Sequence, residues 1–225
     1  MTNREPSAAE IKRAIVELTT TLVAAGLVDD QEWPSISTAS GATRITTVQE
    51  PGVQAIRADT YDSLYRDQAQ RRAFNFVMLD KALVHLSYEF HGQRLRRHRL
   101  SFLPAPDLMS FQADPEEYLR ERHFVEVVGR QAVGVPLRFD FDARDDVTHS
   151  EDHPASHLTL GQYQHCRIPV AAAITPWVFV DFIVRHFYAA PGVIAPDIDR
   201  RPDRRFLSLP PELVSAVQVS SPGNR

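Results

Sequence analysis

Residues 135–169, VPLRFDFDARDDVTHSEDHPASHLTLGQYQHCRIP, decide the fold. Val135, Leu137, Phe139 and Phe141 alternate with Pro136, Arg138, Asp140 and Asp142. Successive side chains of a strand point to opposite faces, so one face is apolar and the other presents Arg138, Asp140 and Asp142 in a row. A loop rich in Asp, His, Ser and Thr follows from Ala143 to Pro154. His157-Leu158-Thr159-Leu160 alternates again and stops at Gly161. Cys166 to Val170 reads as a third short strand, which Pro169 confines to an edge or to its last residues. On a shared sheet, His157, Thr159 and Arg167 join Arg138, Asp140 and Asp142 on the polar face, with His149 and His153 at its rim.

Moving outward, Thr175 and Pro176 open a helix that runs to about Tyr188 and is apolar nearly all round (Trp177, Val178, Phe179, Val180, Phe182, Ile183, Val184, Phe187). Such a helix is buried, and the face of Leu137, Phe139 and Phe141 is the surface offered to it. Asp181 and Arg185 are its one (i, i+4) ion-pair opportunity. At the other end of the chain, Ser7 and Glu10 fit a capping box. Ile11, Ala14, Ile15, Leu18, Leu22 and Val23 then recur at helical spacing, and Gly26 is a good stop, giving a helix over 8–25.

Between these ends, residues 27–41 read as loop, and Ala42–Gln49 and Val53–Arg57 as strands around the turn Glu50-Pro51-Gly52. Asp59 or Thr60 caps a short helix reaching about Gln70. Residues 74–79 and 82–90 read as strands, with helix as the alternative over 71–86. His91-Gly92 reads as a hairpin turn and Arg94–Leu103 as the return strand. Asp114-Pro115-Glu116-Glu117 starts a helix running to about Arg122. From Ala189 the chain is proline-rich, with room for a short helix over Pro211–Val217. The expected architecture is an α+β domain over 1–190: an antiparallel meander covered on one face by the 8–25 and 176–188 helices, its polar face partly open, with a C-terminal extension over 191–225.

At 225 residues, 43% hydrophobic and 24% charged, the composition is that of one soluble globular domain. A net charge of −4 carries no bulk basic signal for nucleic acid. The basic residues are lopsided, since only Lys12 and Lys81 among the 25 are lysine. Cys166 is the one cysteine, so neither an intrachain disulfide nor a cysteine zinc site can form. It reads as a small buried residue, because His165 beside it on a strand points to the other face. The polar start MTNREPSAAE carries no secretory leader, and no apolar run approaches the ~20 residues of a membrane span. A cytoplasmic protein without a membrane partner is expected.

The run RLRRHR at 94–99 has two readings. As a strand it places Arg94, Arg96 and His98 on the face of Leu100 and Phe102, and Arg97 and Arg99 opposite with Leu95. Arg97 and Arg99 then form a substrate-binding, phosphate-facing stripe. Alternatively the run is a solvated hairpin tip whose arginine stems cover apolar neighbours. No aromatic residue interleaves it as a base-stacking platform would.

Three segments carry a resemblance: HPASHLTLGQYQHCRIPV, ITPWVFVDFIVRHFY after it, and LSYEFHGQRLRRHRLSFLPAPDL before it. Over about Phe74 to Tyr188 the chain resembles a bacterial family known as domain of unknown function 2290. The motif is His153-Pro154-x-Ser156-His157-Leu158-x-Leu160-Gly161 followed by Cys166-Arg167-Ile168-Pro169. The resemblance implies a bacterial cytosolic protein and no particular activity. A shorter likeness, through Arg138-Phe139-Asp140 and His153-Pro154…His157, is to small toxins of toxin–antitoxin pairs.

Three readings of the polar cluster stand side by side. The first is metal-independent RNA cleavage without a cofactor. His153 and His157 serve as acid and base, Arg138 and Arg167 sit on the phosphate, and Asp140 or Asp142 orients a histidine. The second is a divalent-metal site drawn from Asp140, Asp142, His149, His153 and His157. Against it, Pro154 breaks the helical spacing of the histidines and no lysine lies near the acids. The third is a non-enzymatic protein that binds a partner encoded nearby through the Arg-rich hairpin and the C-terminal arm. The residues alone do not decide between enzyme and binding protein.

Overall fold

A computed structural model describes residues 5–47, 60–106, 135–144, 154–161, 166–188 and 206. The expected strand over 53–57, the helix from Asp114, His149, His153, and the C-terminal extension apart from Phe206 lie outside the described residues. The architecture is α+β. Among the described residues nine strands form one mostly antiparallel sheet: β1 (Val28–Gln31), β2 (Ser35–Ala39), β3 (Ala42–Thr46), β4 (Phe76–Met78), β5 (Leu83–His91), β6 (Arg94–Leu103), β7 (Leu137–Asp142), β8 (Ser156–Leu160) and β9 (Ile168–Pro169). The order is β1-β4-β5-β6-β7-β8-β9, with β3 also on β5 and β2 on β3.

Helix α1 (Ala8–Ala24) starts with both halves of the Ser7/Glu10 capping box, and Gly26 takes φ +69° just past its end. Helix α3 (Pro176–Phe187) has Pro176 in its first turn, while Thr175 holds the N-cap position without a side-chain capping bond. Both helices feed the core that covers one face of the sheet. Ile11, Ile15, Leu18 and Leu22 of α1 and Phe179, Val180, Ile183 and Val184 of α3 join Val84, Leu86, Tyr88, Phe90, Leu100, Phe102, Leu137 and Phe139. Phe139 meets the edges of Phe179 and Phe182 at 5.9 and 5.6 Å between centroids, the favoured geometry for aromatic pairs. Asp181 and Arg185 form the expected ion pair at 2.7 Å. Phe206 is buried and stacks on Tyr88 at 6.4 Å.

Several local expectations are corrected. Residues 27–41 are not simply loop, since they contain β1 and β2. The β2–β3 hairpin turns at Ser40-Gly41, whose φ values of +51° and +79° suit a two-residue primed turn. The β5–β6 turn is Gly92-Gln93, because His91 still pairs with Arg94. Residues 76–78 and 83–91 are strand with a turn between them, and the helix alternative over 71–86 is not taken. On β6 the register slips between Glu89 and Phe90: Glu89 faces Arg97, but Phe90 faces Leu95. Arg96 is the extra residue of this bulge, and one unpaired residue reverses facing. Leu95 therefore joins His98, Leu100 and Phe102 on the core side instead of lying with Arg97 and Arg99. Val23 is exposed, and Cys166 is half-buried instead of buried.

Helix α2 (Tyr61–Gln70), capped by Thr60, lies against the opposite face. Tyr65 and Ala69 pack with Phe74, Val77, Leu83 and Leu103, a cluster separate from the main core. This helix closes one end of the polar face. At the other edge of β5, strands β4 and β3 follow one another along the same side. β4 pairs with Leu83 and Val84, and β3 with Tyr88 to His91. Between them the amide side chain of Asn75 fills in, its Oδ1 accepting from the Leu86 N–H at 2.6 Å.

Candidate functional site: a charged row on the polar sheet face

Antiparallel register builds the site. Arg97 stands opposite Asp142, Arg99 opposite Asp140, and Ser101 opposite Arg138. On the next strand His157 stands opposite Asp140 and Thr159 opposite Arg138. Directly opposed residues share a face, so Arg138, Asp140, Asp142, His157, Arg97 and Arg99 are brought together. On β9, Pro169 faces His157. Arg167 lies two residues before it and is half-buried. His153 lies outside the described residues, so the pairing of His153 with His157 has no geometry.

Asp140 is the centre. Its carboxylate accepts from Arg99 Nε at 3.1 Å and from Arg138 Nε. Burial pushes its pKa up, but the charges and hydrogen bonds of Arg138 and Arg99 outweigh this and hold it below the ordinary carboxylate value. His157 is buried beside it. Its Nδ1 donates to the Pro154 carbonyl at 2.9 Å, which fixes the tautomer. Its Nε2 lies 3.7 Å from Asp140 Oδ2. Asp142 is taken by Arg144, whose Nε and a terminal nitrogen reach its two oxygens at 2.9 and 2.8 Å. One strand away, Glu89 is taken by Arg44 at 2.7 Å.

Arg97 sits between Glu89 and Asp142, and both carboxylates are engaged by other arginines. Among the described residues no acceptor lies within ion-pair distance of the Arg97 guanidinium, which is half-buried. Burial first, and then the charge of Arg99, lower its pKa.

Two further histidines were not singled out as site residues. His98, on the helix side, accepts from the Ile174 N–H at 3.0 Å, and Tyr88 donates to the Ile174 carbonyl at 2.8 Å. His85 is buried on the polar side with its Nε2 3.3 Å from Thr46 Oγ1. Burial pushes both histidines down to about 4 and keeps them neutral at pH 7. Alternation within β5 and β6 was the signal that placed each on its face.

Among the described residues no group of three or more His, Cys, Asp or Glu converges as a metal site would need, and no helix is long and apolar enough to cross a membrane. No curated protein and no solved structure matches the chain. The family described as "Uncharacterized conserved protein (DUF2290)" matches residues 27–194, a span that holds the nine described strands and leaves α1 outside it; the chain belongs to that family.

Proposed function

We propose that the polar sheet face binds RNA through its phosphates. The observation that carries this reading is Arg97, a half-buried guanidinium whose neighbouring carboxylates are already engaged. An uncompensated, partly desolvated charge is costly, and a phosphate oxygen pair relieves that cost with the planar fork geometry arginine favours. Among the described residues around Arg97 the face sets five arginines (Arg44, Arg97, Arg99, Arg138, Arg144) against three carboxylates (Glu89, Asp140, Asp142). These described side chains sum to a positive charge in a chain of net charge −4. Arg99 and Arg138, committed to Asp140, hold the platform in shape.

A second reading, metal-independent cleavage of the bound RNA, is favoured by the tautomer of His157. With Nδ1–H donated to Pro154, the proton exchanged in this reading is the one at Nε2, and Asp140 lies beside that nitrogen to support the protonated form. Binding is placed first because Nε2 faces Asp140 inside the protein.

Fluorescence anisotropy with a labelled single-stranded RNA tests both readings. Binding is expected to weaken as salt rises. Arg97→Ala should cost about tenfold in affinity and lower the salt slope by about one, with an unchanged denaturation midpoint. Salt-independent or absent binding, or an Arg97→Ala variant that binds like the parent, sinks the proposal. Electrophoresis of the same mixtures reads cleavage. Cleavage that survives EDTA and disappears in His157→Ala supports the histidine mechanism, and EDTA-sensitive cleavage moves the site to a metal.

A further inference from the structure

We propose that the outer edge of β2 is a homodimer interface, at which β2 pairs antiparallel with β2 of a second copy. The inference is independent of the RNA reading. Among the described strands the sheet ends at β1, β2 and β9. An open edge invites pairing with another chain, and proteins blunt it with charge, proline, bulges or short length. β1 carries Asp29 and Asp30 and a register shift between Val28 and Asp30. β9 is two residues long and ends in Pro169. β2 has none of these devices. Its five residues run without a break in register against β3, and no charged residue occurs between Glu32 and Arg44 in a chain that is 24% charged. Four of its five residues are exposed. Ile36 is 41% exposed, and Trp33 just before the strand is 49% exposed.

The backbone geometry fixes which groups are offered. In a two-residue hairpin the residues flanking the turn, Ala39 and Ala42, form a hydrogen-bonded pair, and pairs alternate from there. Ser37 and Ser35 therefore point their N–H and C=O toward β3, while Ile36 and Thr38 point theirs outward. A two-fold axis at Ser37 sets Ile36 opposite Thr38 of the second copy and Thr38 opposite Ile36 of the second copy. Those are the positions whose main-chain groups are open. The occupant is a second copy because this register is self-complementary about a two-fold. Charge points the same way: two chains of net charge −4 repel, and the uncharged edges are where they approach at least cost.

Sedimentation velocity over a dilution series tests the proposal on the full chain. The expected result is a reversible monomer–dimer equilibrium. Thr38→Pro removes an outward donor without touching the ladder to β3. Ile36→Lys puts a charge on the edge. Each should weaken the dimer by about tenfold or more, with circular dichroism and the denaturation midpoint unchanged. If one variant fails to fold, the other decides. Hydrogen exchange supplies a second readout: the Ile36 and Thr38 amides should become protected as concentration rises. A parent that stays monomeric at every loading, a dimer untouched by the substitutions, or Ile36 and Thr38 amides indifferent to concentration overturns the proposal.

Discussion

Two buried histidines, His98 on the helix side of the sheet and His157 on the polar side, lie against opposite kinds of neighbour. On the helix side His98 lies against the rings of Tyr88 and Phe141 at 5.6 and 5.7 Å. A main-chain N–H donates to its Nε2, so the ring is an acceptor and carries no charge. On the other side His157 points Nε2 at Asp140, whose charge is held in place by Arg99 and Arg138. Depth is similar and neighbours differ. What differs is the group facing the second nitrogen: a main-chain N–H for His98 and a carboxylate for His157.

The contrast can be broken first where it is strongest. Phe139→Ala empties the contact with Phe179 and Phe182 and should cost about 3–5 kcal/mol in chemical denaturation. One strand position away on the other face, Asp140→Ala strands two guanidinium groups. The expected cost is about 3 kcal/mol, at the low end for a broken buried pair, because the side chains of Arg99 and Arg138 keep 34% and 43% exposure. A loss below about 1 kcal/mol, the level of a surface pair, would mean that the arginines are solvated independently and that the face is no integrated cluster.

The smallest expected effect is one of slope. His85 and His98 have folded pKa values near 4 against 6.5 in the unfolded chain, so the unfolded state binds more protons. Their stabilising contribution is complete above about pH 6.5 and is lost as pH falls toward 4. Each histidine adds at most about 1.4 kcal/mol per pH unit to that loss. Asp140, whose pKa is depressed, contributes above its ordinary value of 3.8 and adds to the loss only below it. Denaturation midpoints followed between about pH 6.5 and 4.5 should show roughly half the slope in His98→Gln. An unchanged slope would mean that His98 does not titrate with unfolding.

The central strands were legible because Leu137, Phe139 and Phe141 alternate without interruption, and register then followed from hydrogen-bonded pairing. The candidate site was legible to the same extent: the row Arg99, Asp140, His157 needs only alternation and antiparallel neighbours. What escaped the sequence had no period to read. β1 and β2 contain one large aliphatic residue each, Val28 and Ile36, and the ladder holds them instead of a buried face. The bulge at Arg96 is invisible in a basic run, because every residue around it is compatible with either side. That α2 lies on the polar face could not be read from a helix whose inner surface is little more than Tyr65 and Ala69.

Asn75 gives the sheet a seam. One side-chain carbonyl stands in for a strand at Leu86, between two leaves, β1–β4 and β2–β3, that share no ladder pairing among the described residues. That margin is tied together by β5, by α1, which packs on both β1 and β3, and by residues 32–34, which run straight from β1 into β2. The gap in the ladder is bridged by packing, and opening of one leaf is expected to loosen the other through the helix they share.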